Sequence, residues 1–421
     1  MARRLAGGAV LAVLISSLTP TPAAAGPMQP PNLRERSWHL DAMNVTAAQS
    51  YVRGEGVTVA VIDTGVDPDS EALGGQVLPG TEITPEGTAG DGRKDYDGHG
   101  TGMANLIAGK GLHEDSPLGV APAAKILPVK ITREYDGAFS SESVYRAVVW
   151  AVDHGAKVIS MSLGGPPTPE ADWKRRMVQY ALDHDVVLVA AAGNMMQGQD
   201  GPRVSEPAAI PGVIAVSALN KRGDVWAGSQ TGPEVVVSAP GELLPHTTSK
   251  KTTNASGTSG AAALVAGVVA LIRARYPQSS AADVVNRLIR TAKDRGERGR
   301  DVQYGFGTVD ALAAVIAEVP RVDRYPLATT AQASASPQPE AAPEDRSAPL
   351  GPWLGIGGLL AAVLLAGLVA WRTGVTRPRF GAGGPGRLAS GKFTQRPLVT
   401  VPDNRPVEGP ASSGRPAQDD G

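Results

Sequence analysis

Between Gly54 and Ile316, short unbroken runs of Val, Ile and Ala alternate with longer stretches of helical pattern. The runs occupy residues 57–62, 126–130, 158–162, 186–192 and 213–217. They lack the polar alternation of a half-exposed strand, so both faces must be covered, as in a parallel sheet. Helical patterns lie between them at 103–108, 141–154 and 172–184. This alternation predicts an α/β fold, with a mainly parallel central sheet and helices on both faces. The stretch 264–272 is apolar all round, which predicts a helix buried at the centre. In such open sheets, functional groups gather beyond the carboxyl ends of the strands.

Both ends of the chain carry a different pattern. Arg3 and Arg4 precede an apolar segment from Leu5 to Leu18, followed by Ala23-Ala24-Ala25. Residues 1–25 are therefore read as a secretory signal peptide, with an N-terminal core helix as the competing reading. Near the other end, 353–371 contains no charge and would span ~28 Å as a helix, about one bilayer core. Trp353 and Trp371 bracket it, and Arg372, Arg377 and Arg379 follow. Basic flanks stay in the cytoplasm, so the chain before the span faces outward. A buried globular helix is the alternative, disfavoured by the uncharged length and the basic flank. The resulting division is 26–320 for the globular domain with an N-terminal extension and 321–351 for a Pro/Ala/Ser-rich linker. A transmembrane helix at 352–372 and a disordered cytoplasmic tail at 373–421 complete it.

Composition removes several classes of function. The 421 residues carry 40 Lys and Arg against 41 Asp and Glu, a net charge of -1. Such a chain offers no basic field, and nucleic acid is not expected as a partner. The absence of cysteine excludes disulfides, thiolate metal sites and a Cys nucleophile.

Three motifs fall where the chemistry should be. Asp63-Thr64-Gly65 ends the first apolar run, and an acid so placed must be paired or hydrogen-bonded. Alone it reads equally as a turn or capping aspartate. Asp97-Gly98-His99-Gly100-Thr101-Gly102 opens a helix, and imidazole suits proton transfer near neutral pH. A single histidine could equally be a surface residue. Gly257-Thr258-Ser259-Gly260-Ala261 runs into the buried helix, placing Ser259 where backbone N–H groups favour developing negative charge. A plain N-cap is the competing reading for that serine.

Together the motifs occur in the order Asp, His, Ser, one known solution to the serine-protease triad. The stretch from Gly54 to Val315 resembles the subtilisin-like serine proteases. Further likenesses are Ser162-Leu163-Gly164-Gly165, Ala191-Ala192-Gly193-Asn194, Glu206-Pro207-Ala208 and Tyr304-Gly305-Phe306-Gly307. The resemblance implies a subtilisin-like fold and a triad of Asp63, His99 and Ser259. It also implies an oxyanion hole from Asn194 and the Ser259 N–H, and a substrate-binding edge at Ser162, Leu163 and Gly164. With His99 as base, activity is expected to fall as pH drops below ~6.5. Peptide or protein substrates follow, and neither cofactor nor metal site is expected. Signal peptide, protease domain, tether and one anchor together are similar to the mycosins, membrane-anchored proteases of type VII secretion systems. The segment from Arg36 to Met43 adds to that similarity. A membrane secretion complex is therefore an expected partner, and a chiefly structural subunit of that complex is the alternative role. Two positions depart from the subtilase pattern. Gly260 stands where a larger residue is usual, loosening the helix start, and Ala263 replaces a φ-fixing Pro.

Overall fold

In the computed structural model, the described residues are 31–327 apart from 85–86, 135–138, 170–171 and 196–200. The predicted signal peptide, the predicted 352–372 span and tail, and the linker beyond Leu327 lie outside them.

Three short helices precede the first strand: Leu33–Arg36 (α1), Trp38–Ala42 (α2) and Val45–Gln49 (α3). Leu33, Leu40, Met43, Val45 and Ala48 leave solvent here, so this extension is part of the core. It is tied to the far end of the domain: Asn44 Nδ2 donates to Asp310 Oδ2 at 2.8 Å.

The strands are Thr58–Asp63 (β1), Thr81–Thr84 (β2), Gly87–Ala89 (β3), Lys125–Lys130 (β4), Val158–Met161 (β5), Val187–Ala191 (β6), Ile214–Leu219 (β7) and Val235–Pro240 (β8). They form one eight-stranded sheet in the order β3-β2-β4-β1-β5-β6-β7-β8. Every pairing is parallel except β2 with β3. The five runs read from the sequence are β1, β4, β5, β6 and β7, buried almost throughout because helices cover them.

His99–Ala108 (α4), Ser141–Asp153 (α5) and Asp172–Asp183 (α6) follow the predicted pattern, except that α4 starts at His99 itself, ahead of the predicted 103. Leu244–Thr247 (β9) and Thr252–Ala255 (β10) make an antiparallel hairpin that leads into Thr258–Arg275 (α7). Only Ala274 and Arg275 of α7 escape burial. It is the one helix among the described residues apolar and long enough to cross a membrane, but it lies inside the domain. Ala281–Thr291 (α8) and Ala311–Ile316 (α9) close the fold. The packed chain runs on past 320: Leu327 is buried, and Tyr325 Oη donates to Gly212 O.

Strand β1 is flanked by β4 on one side and β5 on the other, so the chain reverses its direction of travel across the sheet there. The carboxyl end of β1 is thus a switch point, where loops diverge and leave a crevice. Asp63 is its last residue.

Candidate active site

Asp63 is buried, with 3 % of its side chain exposed. Its Oδ1 accepts the Thr64 N–H at 2.8 Å and faces His99 Nδ1 at 2.7 Å. Thirty-six residues separate the two in sequence. Burial works against a charged His99. The charge and hydrogen bond of Asp63, then Asp97 and Asp95, outweigh it and hold the imidazole pKa above its usual 6.5. His99 opens α4 after Gly98, whose φ of 92° suits glycine.

A residue not singled out in the sequence fixes that turn. Asp95 Oδ1 accepts from Gly98 N–H and the Thr64 hydroxyl, while Oδ2 accepts from the N–H and hydroxyl of Thr101. One carboxylate therefore caps α4 and ties it to the end of β1. This is why the helix begins inside His-Gly-Thr-Gly, where glycine content argues against helix. An Asp just ahead of a helix start was the available signal. Lys130, the buried end of β4, is the second residue missed. Its Nζ donates to Thr64 O and Lys94 O, both at 2.7 Å, with the Tyr96 ring 4.9 Å away. A lysine closing an apolar strand run, in register with Asp63, could have flagged it.

Ser259 is the second residue of α7 and sits at the helix N-terminus. Its Oγ donates to Ser162 O at 3.2 Å, and Ser162 Oγ donates to Ser259 O at 3.0 Å. This reciprocal pair joins the end of β5 to the start of α7. Of the predicted substrate edge, Ser162 and Leu163 are buried and Gly164 is exposed. Backbone there is what a ligand could reach. A pocket of about 300 Å³ opens beside Gly164, with Phe139, Val144, Trp173 and Pro207 in its walls.

Asn194 follows β6 and Gly193. Its Oδ1 accepts from the Thr258 N–H at 3.0 Å and the Thr258 hydroxyl at 3.1 Å. With the oxygen accepting these bonds, the amide Nδ2 is the donor end of the side chain. Thr258 also accepts the Gly193 N–H, so the turn bearing Asn194 is stitched to the residue before Ser259. The departure at Gly260 has a packing reason. A Cβ there would lie 2.8 Å from Leu244 Cδ1, because the hairpin already fills the space. Among the described residues, no three His, Asp or Glu side chains are grouped to hold a metal.

This arrangement can move a proton between a carboxylate-paired imidazole and a neighbouring group, and can stabilise an anion at a helix start. Comparison with known proteins agrees with that chemistry. The subtilase family profile matches residues 54–307. Mycosin-3 of Mycobacterium tuberculosis is 33% identical over 395 residues, covering 80% of this chain and 83% of that protein. The solved MycP3 protease of the type VII (ESX-3) secretion system aligns with TM-score 0.60 at 32% identity, covering 72% of this chain and 98% of that one. The serine protease MycP1, described as an essential component of the type VII (ESX-1) secretion system, gives 0.59 at 32%, covering 68% and 89%. With the family profile spanning most of the domain and the chain covering most of each relative's length, the chain belongs to the subtilase family of serine proteases and is related to the mycosins.

Proposed function

We propose that the chain is a membrane-anchored, extracytoplasmic serine endopeptidase of a type VII secretion system, using Asp63, His99 and Ser259 as its triad. What carries the reading is the 2.7 Å pairing of a buried strand-end carboxylate with an imidazole at a helix start, at the switch point of a parallel sheet. In this mechanism Ser259 Oγ attacks the scissile carbonyl while its proton passes to His99 Nε2. Collapse of the tetrahedral adduct breaks the C–N bond, and His99 protonates the leaving amine. Water then attacks the acyl ester, giving its proton to His99, and Ser259 recovers its hydrogen as the acid departs. Asp63 keeps Nδ1 protonated and balances the imidazolium. Asn194 Nδ2 and the Ser259 N–H receive the oxyanion. An extended peptide pairs with backbone at Gly164, and the pocket beside it takes an apolar side chain.

Anchoring and orientation rest on residues 1–25, the uncharged 353–371 and its basic flank. A mainly structural role in the secretion complex is a second reading, favoured by the description of MycP1 as an essential component of such a system.

A serine-directed fluorophosphonate should label the protein stoichiometrically, with the tag mapping to the peptide containing Ser259. Labelling elsewhere, or none, rejects the assignment. The raised pKa of His99 adds a pH signature. A protonated His99 cannot accept a proton, so kcat/KM should fall with decreasing pH through a midpoint above 6.5, higher than the unperturbed value suggests. A midpoint at or below 6.5 would contradict the Asp63 coupling.

A further inference from the structure

The hairpin β9–β10 comes immediately before Ser259 and packs across α4, with Asn105 Nδ2 donating to Thr247 O at 2.8 Å. Alternate residues of an extended strand share a face, so Leu244 and His246 point the same way, and Thr248 at the start of the hairpin turn packs beside them against α4. Each meets a glycine. A Cβ on Gly260 would lie 2.8 Å from Leu244 Cδ1, one on Gly102 would lie 2.0 Å from His246 Nε2, and one on Gly98 would lie 2.6 Å from Thr248 Cγ2. Gly260 follows Ser259, Gly98 precedes His99, and Gly102 lies one turn further along α4. A single strand face thus touches both helices that start at the site, and supplies volume that their glycines omit. Close packing makes such a surface stiff, since interiors this dense transmit displacement instead of absorbing it.

His246 occupies the middle of that face. Its ring centroid is 6.2 Å from that of His99, with the planes tilted by 37°. Burial, then the neighbouring charge of His99, holds its pKa below the usual value, while a hydrogen bond with the His99 backbone, then Asp63 and Asp95, act the other way. It can therefore stay neutral beside a His99 that becomes positive during turnover. On the opposite strand Thr253 is its register partner and β10 carries no charged side chain. Lys250 and Lys251 lie in the exposed turn.

We infer that the inward face of β9, with His246 at its centre, is a positioning element that sets His99 relative to Ser259. The inference rests on the triad reading given above. Gly102→Ala should push the His246 ring out of its notch, and His246→Ala should empty it. Either change should lower kcat by about 10-fold or more, with KM within about 2-fold, because misplacement of order 1 Å is costly to chemistry and not to ground-state binding. The double variant His246→Ala/Gly102→Leu returns the volume from the other side, and should recover most of the lost kcat.

The measurement is fluorophosphonate inactivation and peptide hydrolysis by the full-length protein, with thermal midpoints taken in parallel. Wild-type kcat in both folded single variants would overturn the inference. So would a kcat loss that the double variant leaves unrestored. If either single variant fails to fold, Leu244→Ala, which opens the same face over Gly260, supplies the parallel test: an unchanged kcat rejects the idea. Failure of wild-type protein to label at Ser259 would instead strike the triad reading, a distinguishable result.

Discussion

Ser259→Ala is expected to lower kcat for peptide hydrolysis by on the order of 10⁶, the magnitude known for loss of the nucleophile in subtilisin. In the proposed mechanism the substitution removes the atom that forms the acyl ester, so no partial route through it survives. The scaffold should barely notice. Ser259 is 5 % exposed, and giving up the hydrogen bond from its hydroxyl to Ser162 O costs about 1 kcal/mol. The helix start is also held independently by Thr258 and Asn194. Active-site titration with single-turnover detection, alongside a thermal melt, separates these effects. Hydrolysis within 10-fold of wild type would remove Ser259 from the mechanism. The same variant decides between the two biological readings. If cells carrying Ser259→Ala export normally while cells lacking the protein do not, the structural role dominates; if both fail, proteolysis does.

Asp63→Asn is expected to cost about 10⁴ in kcat, the scale known for this change in trypsin-like triads. The geometry says why. His99 Nδ1 faces Asp63 Oδ1 at 2.7 Å, and that oxygen also accepts the Thr64 N–H. An Asn oxygen satisfies Thr64 at no cost, but an Asn nitrogen turned toward His99 would stabilise the tautomer with Nδ1 unprotonated. The Nε2 proton would then block the base. Loss of the charge has a second, separable consequence. Asp63 is the chief group raising the His99 pKa against burial, so the acid limb of residual activity should move to lower pH. An unmoved limb, or a loss below 10-fold, would mean that Asp63 does not govern His99.

Much of the architecture was readable because it depends on periodicity. Short apolar runs rich in Val and Ile suit strands covered on both faces, and β1, β4, β5, β6 and β7 fall where such runs occur. A helix apolar all round must be shielded from water, in a core or in a bilayer, and α7 lies in the core. Strands without that signature escaped, as did β8, whose Val235-Val236-Val237 run is cut short by Ser238 and Pro240. β10 is exposed along its whole length, and β9 is short and interrupted by Pro245. The start of α4 was also hidden, since its glycines disfavour helix and the cap that rescues it, Asp95, acts through four hydrogen bonds across a turn and a strand end.

What the sequence determined by itself is the set of candidate reactive groups and their order: a strand-end Asp63, a glycine-flanked His99 and a helix-start Ser259, with Asn194 after a buried strand. Each belongs to a short motif whose chemistry is local. Only the tertiary structure decided how they are held. The Asp63–His99 contact, the Lys130 bridge beneath Thr64, the clasp of Thr258 on Asn194, and the filling of Gly260 and Gly102 by Leu244 and His246 all join residues remote in the chain. The physical reason is that local pattern fixes which face of a segment is buried, whereas packing complementarity between two segments depends on both. A glycine therefore reads as a loosened helix until the side chain lying over it is known.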